Sequence, residues 1–308
     1  HLLPFLGLAA FSGTVDTPAS AAPAAELTLG ADLGHSVINT QSRDRVYLRL
    51  SLKALAAAPR ERRAPINVAL VIDHSGSMSG ERLAAAKKGA KVALERLGAD
   101  DIVSLVTYNH EVDVLREAGR VGSNRDALER AISRISASGT TALYAGVKEG
   151  GEQVKAFRSD TKVNRVVLLS DGLANVGPSS PAELADLGRE LAGKGISVST
   201  IGLGLEYNED LMQRLAAASD GNHVFVERPS DLAEIFDREF GDALSIAARD
   251  ITITIECKAG FRPTRVLGRE ADISGDRVTL KLTQLPAEIE RYVVLELEPP
   301  TDAVAADR

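Results

Sequence analysis

Two textures alternate along the chain. Over residues 45–52, Val46, Leu48, Leu50 and Leu52 alternate with Tyr47, Arg49 and Ser51. A period of two predicts a strand with one buried face. A further strand is expected just before it, over residues 26–33. From Ile66 the pattern changes to short apolar runs separated by helical stripes. Residues 68–72, 101–107, 163–170 and 196–203 read as buried strands of the parallel-sheet kind. A shorter strand, 111–115, is expected to pair with 101–107 through a Tyr-Asn-His turn, and another covers 223–226. Between them, residues 82–97 place Leu83, Ala86, Ala90, Leu94 and Leu97 on one helical stripe. Ser123 is expected to cap a helix carrying Leu128, Ala131, Ile132 and Ile135. Residues 142–157 predict a helix loosened by Gly150 and Gly151. Ser180, Pro181 and Glu183 form a helix start with N-cap Ser, Pro at N1 and Glu at N3. Residues 208–219 and 230–244 predict two more helices. After Ala248 strict alternation returns, through Ile251, Ile253 and Ile255, then Val278, Leu280 and Leu282, then Val293, Leu295 and Leu297.

Strands alternating with helices predict an α/β unit: a doubly wound, mostly parallel six-stranded sheet covered on both faces. The flanking one-face strands cannot bury themselves singly. They are expected to join in a small antiparallel β-sandwich, with the α/β unit inserted between its strands. The expected segments are 23–63 for the first part of the sandwich and linker, 64–246 for the α/β domain, 247–300 for the rest of the sandwich, and 301–308 for a tail. Residues 59–65 are a charged, proline-bounded linker.

Composition narrows the function classes. The 308 residues are 44% hydrophobic and only 4% aromatic, with no Trp, so Ala, Val, Leu and Ile must build the cores. A net charge of −7 argues against a generic nucleic-acid surface, which needs clustered Lys and Arg. Cys257 is the single cysteine, which excludes an intrachain disulfide and a cysteine-based zinc site. Residues 2–11 form a short apolar block, and Ala19-Ser20-Ala21 is a small-x-small cleavage candidate. Residues 1–22 are therefore expected to be a signal-peptide remnant, and the chain to be exported: periplasmic, cell-surface or secreted, in a bacterium. Ten apolar residues are too few to span a membrane.

The candidate chemistry lies at three strand or helix ends. The first strand runs into Asp73-His-Ser75-Gly-Ser77. The segment Ser138-Gly-Thr-Thr141-Ala-Leu-Tyr144 opens a helix. The 163–170 strand runs into Asp171-Gly172. In a doubly wound sheet, ligands bind beyond the carboxyl ends of the strands, where the connections diverge. If the neighbouring strands lie on either side of the first, Asp73 and Asp171 face each other there. Gly76 and Gly172 are expected to allow the tight turns. Carboxylates and hydroxyls are hard oxygen donors, suited to a divalent cation. Each segment alone also reads as an ordinary cap or turn; it is their joint occurrence that points to a site.

These segments resemble the von Willebrand factor type A domain with its metal-ion-dependent adhesion site, over about residues 66–244. The resemblance implies a Rossmann-like fold with Asp73, Ser75, Ser77, Thr141 and Asp171 as metal ligands. The family's Gly-Gly-Thr appears here as Gly139-Thr140-Thr141, and register assigns Thr141. The implied cofactor is Mg²⁺, with Mn²⁺ or Ca²⁺ as alternatives. The implied partner is a protein whose Asp or Glu completes the coordination sphere. His74, Met78, Leu173 and Asn175 sit beside the ligands and are expected to form the partner-binding rim. In some relatives the last helix shifts on binding; here that is 230–244. No enzymatic activity is expected. The alternatives are a metal-dependent hydrolase or phosphoryl-transfer enzyme using Asp73, or a scaffold with a non-functional site. Phosphoryl-transfer enzymes with an aspartyl nucleophile resemble Asp-x-Asp, whereas Ser75 stands two residues after Asp73. No His-Glu-x-x-His, Gly-x-Ser-x-Gly or P-loop is present.

Overall fold

The computed structural model describes residues 3–4, 27–34, 37–38, 45–54, 64–171, 174–204, 207–244, 246–269, 271–287 and 290–300. Most of the expected signal-peptide remnant, residues 1–22, lies outside the described residues, as do residues 301–308. The chain divides into two compact units. One comprises residues 1–60 and 247–308, the other residues 61–246.

The first unit contains β1 (Leu3–Pro4), β2 (Leu27–Leu33), β3 (Val37–Ile38) and β4 (Val46–Ala54) from one side of the sequence. From the other side come β11 (Ile246–Glu256), β12 (Arg262–Leu267), β13 (Asp272–Ser274), β14 (Arg277–Pro286) and β15 (Glu290–Glu298). The strands β1 and β3 form a two-residue antiparallel pair. The four-stranded sheet has the order β12-β15-β4-β2, and a three-stranded sheet the order β11-β14-β13. The early strand β4 pairs antiparallel with the late strand β15, Val46 opposite Leu297 and Leu50 opposite Val293. Period two then sets the core: Leu48, Leu50 and Leu52 meet Ile251, Ile253, Leu280, Leu282, Val293 and Leu295 in one buried cluster. Strands β12 and β13 escape the sequence pattern. The first is broken by a register shift between Pro263 and Arg265, and the second is three residues long.

Glu296 lies on the opposite face of β15 from that core, yet it is fully buried. Its carboxylate accepts from Thr264 Oγ1 at 2.8 Å, Arg265 Nη2 at 3.0 Å and Tyr47 Oη at 3.3 Å, and it pairs with Arg45. The Thr264 hydrogen bond, then the Arg265 and Arg45 charges, hold its pKa below the usual carboxylate range. A folded pKa below the unfolded one, about 4.3, gives stability present at neutral pH and lost as pH falls through the folded pKa. Glu296→Gln is therefore expected to lower the melting temperature at pH 7, with the gap to wild type closing below about pH 4. Thermal unfolding across a pH series checks this; a gap independent of pH would refute it.

The second unit is built on β5 (Ile66–Asp73), whose eight residues are all buried. It continues through α1 (Glu81–Arg96), β6 (Ile102–Tyr108), β7 (Val112–Arg120), α2 (Val121–Arg134), α3 (Leu143–Lys155), β8 (Val163–Ser170), α4 (Pro181–Gly193), β9 (Ser197–Leu203), α5 (Glu209–Ala218), β10 (His223–Val226) and α6 (Leu232–Leu244). The sheet order is β10-β9-β8-β5-β6-β7, with only β7 antiparallel to its neighbour. Strand β5 is thus flanked by β8 and β6, both parallel to it. Its alternate residues supply both cores. Ile66, Val68, Leu70 and Ile72 pack with Leu83 and Leu94 of α1, Ile132 of α2 and Phe236 and Phe240 of α6. Ala69 and Val71 pack with Val147 of α3, Leu187 of α4 and Leu215 of α5.

Two helix expectations are corrected. Ser123 caps nothing at an N-terminus: α2 follows β7 directly from Val121, and the Ser123 hydroxyl donates to Arg120 O at 3.2 Å. The glycines of α3 do not loosen it. A Cβ on Gly150 would stand 2.5 Å from Val71 Cγ2, and one on Gly151 2.5 Å from Leu191 Cδ2. They let the helix sit close against β5 and α4. The Ser180 capping box forms as expected.

Candidate metal centre

Three loops meet at the carboxyl end of β5. The first leaves Asp73. His74 N still donates to Tyr108 O at 3.0 Å, extending the ladder by one residue. Ser75 N then turns back to Asp73 Oδ1 at 2.8 Å, an Asx turn that fixes the carboxylate. A single 3₁₀ turn, Gly76–Met78, follows. Gly80, at φ +76°, leads into α1. Met78 anchors the turn. It is fully buried in the core with Leu83 and Ile72, so it has no place in a surface rim, contrary to expectation. Gly76 is not at a positive φ; in the three loops Gly80, Gly139 and Gly177 are, each at +76°.

The second loop, between α2 and α3, is stitched to the first. Gly76 N donates to Gly139 O at 3.0 Å and Ser138 N to His74 O at 2.8 Å, while His74 Nδ1 lies 2.8 Å from Ser136 O. This loop exposes Thr140 and buries Thr141. The third loop follows β8. Asn175 Oδ1 accepts from Thr141 N at 2.9 Å, and Asn175 N donates to Thr141 O at 3.1 Å. Asn175 thus braces Thr141. Leu173 and Gly172 lie outside the described residues.

The oxygens form one connected set. Ser75 Oγ is 3.0 Å from Ser77 Oγ, and Ser77 Oγ donates to Asp171 Oδ1 at 2.8 Å. Ser170 Oγ donates to the second Asp73 oxygen at 2.6 Å, and Arg82 Nη1 to the second Asp171 oxygen at 2.6 Å. Both carboxylates are buried. Burial raises the Asp73 pKa above its ordinary value, against the hydrogen bonds from Ser170 and Ser75, and the nearby Asp171 charge adds to the rise. Tyr108 packs beside Asp73; burial first, then the Asp73 charge, push its pKa well up.

The donor set fits a small hard cation. Six oxygens at about 2.1 Å around Mg²⁺ stand about 3 Å from their neighbours. The Ser75–Ser77 and Ser77–Asp171 separations, 3.0 and 2.8 Å, are of that size. Among the described residues no three or more His, Cys, Asp or Glu side chains converge on a common point. Any cation here would rest on two carboxylates and neutral hydroxyls. Two site residues escape sequence reasoning. Ser170 precedes a suspected ligand at a strand end and could have been found by that adjacency. Arg82 is one residue among several basic ones on α1 and carries no such signal.

A doubly wound α/β domain whose carboxylates and hydroxyls gather at the switch point of its sheet is the class these observations define. The chain belongs to the von Willebrand factor type A domain family, whose sequence model matches residues 67–238. That family often mediates metal-dependent protein–protein adhesion. The protein sll0103 of Synechocystis sp. is 31% identical over 209 residues, covering 68% of this chain and 49% of its own length. YfbK of Escherichia coli is 29% identical, covering 62% of this chain and 33% of its own. Human inter-alpha-trypsin inhibitor heavy chain H3 is 27% identical, covering 53% and 19%. The chain therefore spans about half the length of the first of these relatives and less of the others. Among solved structures, a von Willebrand factor type A protein from Catenulispora acidiphila superposes with a TM-score of 0.71 at 18% identity, covering 90% of this chain and 66% of that one. The pilus adhesin SpaC of Lactobacillus rhamnosus GG gives 0.52 at 16% identity, covering 89% and 42%. At these identities the superpositions speak to fold.

Proposed function

We propose that this chain is a metal-dependent protein-binding module of the adhesion type. The observation that carries the reading is the connected set Ser75, Ser77 and Asp171, spaced like adjacent ligands of one small cation, with Asp73 held beside it. Asp73, Ser75, Ser77, Thr141 and Asp171 would hold the ion, Mg²⁺ foremost, with Mn²⁺ or Ca²⁺ as substitutes. The ion, when bound, supplies a Lewis-acidic position for an incoming carboxylate. The chain's own residues do the rest. Ser170 and the Ser75 amide fix Asp73, Asn175 fixes Thr141, and the buried Met78 fixes the turn that carries Ser75 and Ser77. Two carboxylates balance a divalent ion, and Arg82 beside Asp171 leaves the loaded site net positive, which favours an acidic side chain from a partner protein. The amino end of α1 favours the same sign. His74, half-buried, remains as rim, with Asn175 in a bracing role.

An aspartyl-nucleophile enzyme is the weaker reading. Both Asp73 oxygens accept hydrogen bonds inside the protein, from Ser75 N and Ser170 Oγ, and Ser75 stands where an Asp-x-Asp enzyme carries its second carboxylate. Export is part of the proposal and rests on residues 2–11 and Ala19-Ser20-Ala21. No described helix is long and apolar enough to cross a membrane. The test is capture of envelope proteins on the immobilised chain. Capture is expected in Mg²⁺, lost in EDTA and restored by Mg²⁺; capture indifferent to EDTA would refute the reading.

A further inference from the structure

Arg82 is already a cation at the candidate metal centre. It sits in the first turn of α1, and its Nη1 lies 2.6 Å from Asp171 Oδ2 and 3.5 Å from Ser77 O. On the far side the guanidinium rests over Gly204, at the carboxyl end of β9, where a Cβ would stand 3.4 Å from Nη2. A side chain at position 204 would crowd that pose; Gly204, at φ +83°, leaves room for it. The arginine side chain is 32% exposed, while Asp171 is wholly buried. Asp171 thus divides its two oxygens, one to the Ser77 hydroxyl of the ligand set and one to Arg82.

We propose that Arg82 is a resident counter-cation that competes with the divalent ion for Asp171 and holds the metal affinity of the site down. This rests on the metal-binding reading above. The argument is electrostatic. A guanidinium that shares a buried carboxylate with a divalent ion cancels most of the charge the ion would draw on, and it repels the ion at short range in a medium of reduced dielectric. Lysine would keep the charge, but as a flexible point charge without the planar fork. The arrangement also ties metal binding to the partner. A partner carboxylate arriving at the ion brings the negative charge that Arg82 has taken up, so metal and partner each favour the other's binding.

Calorimetric titration of the full chain with Mn²⁺ tests this, on wild type, Arg82→Gln, Arg82→Lys and Asp73→Asn, with far-ultraviolet circular dichroism as the folding control. Arg82→Gln is expected to bind Mn²⁺ about tenfold more tightly, a 1.4 kcal/mol change, and Arg82→Lys to stay within about threefold of wild type. If Arg82→Gln does not fold, Arg82→Met carries the same test, since it also removes the charge and places no polar group at the site. Equal affinity in wild type and the neutral variant overturns the proposal. So does weaker binding in the neutral variant, which would make Arg82 an orienting residue for Asp171. Where wild type and the neutral variant both bind no more Mn²⁺ than Asp73→Asn, the metal reading itself fails and this inference with it. Binding by the neutral variant alone supports the inference in its strongest form.

Discussion

Asp73→Asn is expected to abolish Mg²⁺ and Mn²⁺ binding, by a hundredfold or more, while the circular dichroism stays that of the wild type. The amide matches the carboxylate in shape. Its oxygen still accepts from Ser75 N, and its NH₂ can donate to Ser170 Oγ, which turns from donor to acceptor. What disappears is one of the two negative charges of the proposed site. Loss of an outer hydrogen bond to a ligand typically costs 10–100-fold in metal affinity, and loss of a charged ligand should cost at least as much. The same substitution removes a carboxylate whose burial is unfavourable to its charge. In EDTA the variant should therefore melt at or above the wild-type temperature. Adding Mg²⁺ should raise the wild-type melting temperature and leave that of the variant where it is, because an ion stabilises only a fold that binds it. Calorimetric titration and paired thermal melts check both halves. Binding retained by the variant would refute the role of Asp73.

How much of this was readable beforehand depends on the range of the interaction. The apolar run of β5, the period-two strands around it and the Ser180 capping box are local signals, and they appear where the pattern puts them. The meeting of Asp73 with Asp171 needed only the sheet order, which alternation of strands and helices suggests and the order β8-β5-β6 supplies. Which of Thr140 and Thr141 is buried is not a local matter. It turns on Asn175, thirty-four residues on, whose side-chain oxygen accepts from the Thr141 amide. Met78 departs from expectation because a methionine between two serines looks like loop surface, while the 3₁₀ turn rotates it under the loop into the core. Arg82 was invisible for a related reason. Its position on α1 says that it faces outward, and only the third loop, across the sheet edge, provides the carboxylate it meets.

The same blindness applies to Arg165, and there the expected effect is large. The run 163–170 reads as an apolar strand, yet its third residue is an arginine that is 2% exposed. Its contacts include one strand and one helix. Arg165 Nε donates to Ser197 Oγ on β9 at 3.3 Å, and Nη1 stands 3.6 Å from Glu239 Oε2 on α6, a carboxylate that is itself 3% exposed and accepts from Asn222 Nδ2 at 3.0 Å. Two charges withdrawn from water are tolerable only together. Glu239→Gln keeps the shape and the Asn222 contact but removes the negative charge that faces Arg165 Nη1. It should lower the unfolding free energy by about 3–5 kcal/mol. The double replacement Arg165→Met with Glu239→Leu should recover most of that loss, because it removes the second charge as well as the first. Denaturant unfolding measured on the four members of the cycle decides it: a loss under about 1 kcal/mol for Glu239→Gln, or a double variant worse than either single one, would refute the account. The pair lies near the amino end of β8, whereas Asp171 follows its carboxyl end. The folded fraction of Glu239→Gln should accordingly bind Mn²⁺ as the wild type does. Stability would then be set at one end of the sheet and cation affinity at the other, so that the tie between α6 and β8 can be cut without touching the oxygens around Asp73.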